Sequence, residues 1–109
     1  MSETGDKKIQ TFHAKQRMSE RFGRSFGDED IERLAGVCNN GDFLCFFEEQ
    51  GESRVRVMVE FDGHYYPVIY DKSTNSVVTV LSFSMLNREE SALFVDALLK
   101  RGKTQYAIS

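Results

Sequence analysis

The spacing of apolar residues changes twice along this chain, and those two changes limit the folds open to it more than any other feature. Up to residue 38 apolar residues recur every three or four positions. Ala14, Met18 and Phe22 fall at i, i+4 and i+8, which predicts a helix over Phe12–Arg24, capped by Thr11 and ended around Gly23 and Gly27. A second helix is predicted over Asp28–Cys38. Its acidic start (Asp28, Glu29, Asp30) suits the positive end of the helix dipole, and Ile31, Leu34, Ala35 and Cys38 form the buried stripe. Asn39-Asn40-Gly41 stops it.

From residue 43 the period becomes two. Phe43–Glu49, Arg54–Phe61, Tyr65–Asp71 and Val77–Phe83 read as strands, separated by the turn formers Gln50-Gly51-Glu52, Asp62-Gly63 and Lys72-Ser73-Thr74-Asn75. Such short connections join antiparallel neighbours, so a four-stranded meander is expected. Val55, Val57, Val59 and Phe61 share one face, which helices should cover. Arg54, Arg56, Met58 and Glu60 share the other, which should be more polar. Pro67 suits an edge or a bulge. At residue 88 the helical period returns. A third helix is predicted over Arg88–Arg101, with Asn87 and Glu90 as a capping box, Leu93, Phe94, Ala97 and Leu98 toward the core, and Gly102 as the stop. The order ααββββα defines an α+β fold: two N-terminal helices packed on a four-stranded antiparallel sheet, with an additional C-terminal helix.

At 109 residues this is one domain, read as 9–109 behind a flexible, polar lead-in at 1–8. No run approaches the ~18 apolar residues of a membrane span, and the first eight residues lack the apolar core of a secretion signal. The expectation is a cytoplasmic protein with no membrane partner, whose Cys38 and Cys45 stay reduced and buried. Two cysteines and two histidines match no zinc-ligand spacing, Asp28-Glu29-Asp30 lacks the spacing of a calcium loop, and no glycine-rich phosphate loop occurs. Neither a metal nor a cofactor is expected.

The net charge is −3, yet its distribution is uneven. Residues 1–27 hold six basic groups against three acidic ones, and the rest of the chain holds eight against fourteen. The basic excess includes a row on the first helix: His13, Arg17, Arg21 and Arg24 lie within an arc of roughly 80° at 3.6 residues per turn. The row runs beside the Ala14–Met18–Phe22 stripe, at the margin of the core. An imidazole near guanidinium groups suits RNA chemistry. Histidine can take a proton from a 2′-hydroxyl, and arginine can hold a phosphate and oppose the charge that grows on it. Arg17 and Arg21 could equally pair with Glu20 or the acidic second helix as a solvated surface. From the sheet, Thr79 could donate a hydroxyl, Tyr66 and Tyr70 could donate or stack, and Arg54 and Arg56 could widen a phosphate site. Tyr66 and Tyr70 could also simply pack the sheet, and His64 could simply be a turn residue.

Phe12-His13-Ala14-Lys15-Gln16-Arg17-Met18-Ser19-Glu20-Arg21 resembles the H-A-x-x-R-M-x-x-R opening of a small bacterial and phage domain family. That family is similar to the barnase–EndoU–colicin–RelE ribonuclease superfamily. The likeness continues through the acidic-start helix, Asp62-Gly63-His64-Tyr65-Tyr66 and Val77-Val78-Thr79-Val80-Leu81. It covers about residues 12–83, and the helix from Arg88 falls outside it. The resemblance implies RNA held on a concave sheet face and metal-independent cleavage with the 2′-hydroxyl as internal nucleophile. His13, Arg17 and Thr79 would match the helix histidine, the helix arginine and the final-strand hydroxyl, with Arg21 a weaker match. Toxins of this plan are commonly basic, whereas this chain is acidic outside its first helix.

Two functional readings follow, with different partners. One is a toxin-like endoribonuclease acting on RNA, answerable to a cognate antitoxin. The other is a non-catalytic phage-encoded inhibitor or immunity-type protein that binds a basic protein surface through acids such as Glu48, Glu49, Glu52 and Glu60. Leu93, Phe94, Leu98 and Leu99 would also permit a dimer through the third helix. The first reading requires His13, Arg17 and Thr79 to open onto one cleft.

Overall fold

The computed structural model describes the backbone of residues 2–108 and the side chains of residues 9–101. Helices α1 (Ser2–Phe22) and α2 (Asp28–Asn39) precede strands β1 (Cys45–Gln50), β2 (Arg54–Phe61), β3 (His64–Asp71) and β4 (Ser76–Val80). A 3-10 turn (Phe83–Met85) then leads to α3 (Arg88–Ile108). The sheet is an antiparallel meander in the order β1-β2-β3-β4, so the α+β reading of the sequence holds. Among the described residues no helix is long and apolar enough to cross a membrane.

The β2–β3 turn sets the register of the sheet. Asp62 (φ 51°) and Gly63 (φ 78°) are both left-handed, the geometry that closes a two-residue hairpin with the right twist. It pairs Phe61 with His64, and counting outward from there pairs Arg56 with Ile69 and Arg54 with Asp71. Val55, Val57, Val59, Tyr66, Val68, Tyr70, Val77 and Val80 therefore share one face. Ala14 and Met18 of α1 and Ile31, Leu34, Ala35 and Cys38 of α2 close over it to form the core.

The second face is not simply polar, which corrects the expectation. α3 lies over part of it. Its Glu90 takes two hydrogen bonds from Arg56 at 2.6 and 3.0 Å, its Arg101 pairs with Glu60, and its Phe94 ring meets Tyr65 edge-on at 5.5 Å. Met58 is fully buried although it points away from the main core. The capping box is present: the Asn87 amide donates to Glu90 at 3.0 Å, and the Glu90 amide donates to the Asn87 side chain at 2.8 Å. Leu93, expected to face inward, is exposed with Val95 and Leu99, because the buried side of α3 runs through Glu90, Phe94, Ala97 and Leu98.

Element ends differ from expectation where no strong breaker marks them. α1 starts at Ser2, so Thr11 sits inside it rather than capping it. α3 runs through Gly102, since an isolated glycine costs a helix only about 1 kcal/mol and no proline follows. β1 begins two residues later than expected, and β4 ends at Val80, where the chain turns toward the 3-10 segment.

Candidate functional site

α3 covers the β1–β2 side of the second face, and the remainder floors an open groove of about 900 Å3. α1 forms its far wall. Because α1 packs Ala14 and Met18 onto the core beside edge strand β4, the neighbouring row Ile9, His13, Arg17, Arg21, spaced by four residues, overhangs that edge and looks into the groove. Opposite stand Thr79 and Leu81, with Arg54 and Asp71 at one end and Met85 at the other. Thr79 pairs with Ile69, which pairs with Arg56, so its side chain belongs to the second face, although Val77 and Val80 of the same strand pack into the core. A register shift at Val78 produces this switch: Val77 and Val80 both point inward and Thr79 between them points out. His13, Arg17 and Thr79 thus open onto one cleft.

The groove is cationic. Arg17, Arg21 and Arg54 line it against the single carboxylate of Asp71. His13 is exposed, and its ring touches Phe12 edge-on at 5.8 Å. Arg17 pairs with Glu20 through Nη1 at 2.7 Å, the surface pairing open to it from sequence, and still lines the groove. Arg21 donates from Nη1 to the backbone carbonyl of Val80 at 2.7 Å. That bond pins α1 to the edge strand and leaves the other guanidinium donors available. Gln10 hydrogen-bonds Ser76 and, at 3.1 Å, Thr74, which anchors the same helix at the other end of the groove.

Asp71 was not singled out from sequence, nor were Gln10, Ser73 and Thr74. Burial alone would raise the Asp71 carboxyl. Hydrogen bonds from the Ser73 hydroxyl and amide, the Ser53 hydroxyl and the Thr74 amide outweigh burial and hold it below the ordinary aspartate value. Asp71 in turn pairs with Arg54 Nε at 3.5 Å. The two-residue turn already contained the signal, since counting from Asp62-Gly63 sets Asp71 opposite Arg54.

The other expected site residues lie elsewhere. Arg24 leaves the row because α1 ends at Phe22 and Gly23 (φ 65°) turns the chain away. Its Nη2 approaches the His64 ring nitrogens at 2.6 and 3.1 Å, tying the α1–α2 link to the β2–β3 hairpin. His64 is the first residue of β3. Arg56 is engaged by Glu90 and by the Met85 carbonyl at 3.0 Å. Tyr66 and Tyr70 are core residues on the opposite face of the sheet. Tyr66 packs edge-on against Phe22 and Phe26, and the Tyr70 hydroxyl bonds Asn39 and Asn75. Burial raises both phenols. Cys38 is buried, and desolvation pushes its thiol up to about 12.

Comparison with family models, with curated proteins and with solved structures finds no match to this chain. Fold and site therefore define it by geometry: an α+β domain with an open, arginine-lined groove that holds one exposed histidine.

Proposed function

We propose that this protein is a metal-independent endoribonuclease, toxin-like and acting in the cytoplasm, that cleaves RNA by attack of the 2′-hydroxyl on the adjacent phosphodiester. The carrying observation is that His13, Arg17, Arg21 and Thr79, from two elements, line one open cationic groove. The resemblance of the first helix to relatives of RelE-type ribonucleases supports the same reading.

In this mechanism neutral His13 takes the proton from the 2′-oxygen, which attacks phosphorus. The P–O5′ bond breaks, its electron pair leaves on the 5′-oxygen, and that oxygen takes a proton from water. The products are a 2′,3′-cyclic phosphate and a 5′-hydroxyl end. Arg17 and Arg21 oppose charge on the non-bridging oxygens, and the Thr79 hydroxyl donates to one of them. Incubation with total RNA in EDTA, followed by end-group analysis, tests the proposal. Wild type should yield cyclic-phosphate ends, and His13→Ala should cut the rate by 10²–10⁴-fold. Intact RNA with the wild-type protein would refute it.

A second reading draws on the opposite edge of the sheet. Glu48, Glu49 and Glu52 are exposed on and beside edge strand β1 and form no ion pair among the described residues. They could meet a basic protein surface, as an inhibitor or immunity-type protein does. Glu60 does not join them, being paired with Arg101. Charge reversal at these three acids should abolish such binding, read as loss of one stoichiometric protein partner in a pull-down.

A further inference from the structure

We infer that Arg54, positioned by Asp71, is a second anion subsite of the groove, so that the shortest strand able to fill it carries two successive phosphodiesters. The inference rests on the RNA reading of the groove and extends it to the length of substrate engaged.

Asp71 and Arg54 both line the groove, and they differ in exposure. The Asp71 side chain is 8% exposed and that of Arg54 is 48% exposed. Asp71 is a fixed, ionised group. It accepts from the Ser73 hydroxyl at 2.6 Å and the Ser73 amide at 2.9 Å, which locks the carboxylate to the turn after β3. Its closest approach to Arg54 is through Nε at 3.5 Å, longer than the bonds that Arg56 makes to Glu90. Neither Nη group of Arg54 makes a hydrogen bond among the described residues, and the side chain lines the groove, so the outer fork of the guanidinium, the part that matches a phosphate, stays available. Arg56, two residues on and on the same face, is the internal control. Its Nε and Nη2 are both consumed by Glu90, and it offers the groove nothing.

Distance along the sheet separates this subsite from the first. Arg21 is pinned at the Val80 carbonyl, whereas Asp71 lies opposite Ser76. Val80 and Ser76 pair with Val68 and Asp71, which are three residues apart on β3, roughly 10 Å at strand rise. No single phosphate reaches both guanidinium groups. A strand laid from Arg21 past Thr79 toward Arg54 presents a second phosphate to the second cation, and Ser73 and Thr74 beside Arg54 supply further polar contacts.

The test uses fully 2′-O-methylated oligoribonucleotides, which lack the nucleophile, so binding is read apart from cleavage. Titration of the full-length protein with a dinucleotide, a trinucleotide and a tetranucleotide (one, two and three phosphodiesters) measures the affinity gained per phosphate. In wild type the second phosphodiester should tighten binding about tenfold and steepen the log–log salt dependence by about 0.7. Arg54→Gln should bind the dinucleotide as wild type does and lose that step. Arg54→Lys should keep part of it. Asp71→Asn should shrink it without altering the dinucleotide affinity, which a merely structural role would not do. A trinucleotide no tighter than the dinucleotide in wild type, or a step that survives Arg54→Gln, overturns the subsite and leaves the RNA reading standing. Failure of every length to bind overturns both.

Discussion

Arg54 and Arg56 stand two residues apart on β2, point to the same face and each meet one carboxylate, yet they do opposite work. Arg56 and Glu90 are 17% and 5% exposed and share two short hydrogen bonds, while Glu90 also caps α3. Arg54 stays half exposed, approaches Asp71 no closer than 3.5 Å, makes no side-chain hydrogen bond among the described residues and lines the groove. Two identical side chains in a row of charges thus divide into a fastener and a contact. The number of donors already used separates them better than residue type or position does.

The largest effect expected from this contrast is on stability, at the fastener. Glu90→Ala leaves Arg56 a buried charge without its partner and removes half of the capping box. Loss of one partner of a buried pair costs about 3–5 kcal/mol. Urea denaturation should register that loss as a lower midpoint. A second variant sharpens the point: replacing both residues with apolar ones of similar volume (Arg56→Met with Glu90→Leu) should recover much of it. A loss below about 1 kcal/mol in Glu90→Ala would mean that α3 is held by Phe94 and its ring contacts instead.

Asp71→Asn should have the next largest effect, about 1.5–3 kcal/mol at neutral pH, the range for hydrogen bonds to a charged group. The sign with pH follows from the lowered carboxyl. Folding favours the ionised form, so the stabilisation is complete above the unfolded value near 3.8 and is lost as pH falls below it through the folded value. Wild type and variant should therefore converge in denaturation midpoint as the pH drops below about 3.8. A gap unchanged at that pH would show that the Ser73 contacts serve shape and not charge.

Thiol chemistry probes the opposite face, where the core should admit no reagent. Cys38, with its thiol pushed up to about 12, stays protonated at pH 8. Native protein should alkylate there no faster than global unfolding permits, and Cys38→Ala should leave RNA binding unaltered. Fast native alkylation of Cys38 would mean that the α2 face opens locally.

Much of this arrangement could be read from the residues. The period change located the helices and strands, Asn87 and Glu90 announced their capping box, and the Asp62-Gly63 turn fixed a register that sets Arg54 against Asp71. The same count would have sent Tyr66 and Tyr70 inward, since they alternate in step with Val68 on the face that meets Val55, Val57 and Val59. Other features were not legible because they depend on distant contacts. Nothing near Met58 signals that it will be fully buried on the face opposite the main core. Gly23 was visible as a terminator, but only its left-handed backbone shows that Arg24 departs from the row and finds His64. The switch at Val78, which turns Thr79 toward the groove, is a local irregularity that strict alternation misses.

The smallest expected change closes the comparison from the other side. If the α1 row exists to meet a ligand, the fold should hardly notice its removal. Arg17 makes one exposed pair with Glu20 at i, i+3, worth about 0.3–0.5 kcal/mol, and His13 has no hydrogen bond among the described residues. His13→Ala and Arg17→Gln should each shift stability by no more than about 0.5 kcal/mol in urea denaturation, within the range of ordinary surface substitutions. Arg21→Gln should cost somewhat more, about 1 kcal/mol, because its bond to the Val80 carbonyl also fastens α1 to the edge strand. Near-neutral stability at His13 and Arg17 combined with a large loss of RNA cleavage would place the row with Arg54, among the contacts. A loss of 2 kcal/mol or more at either would move it to the side of Arg56, as part of what holds α1 in place.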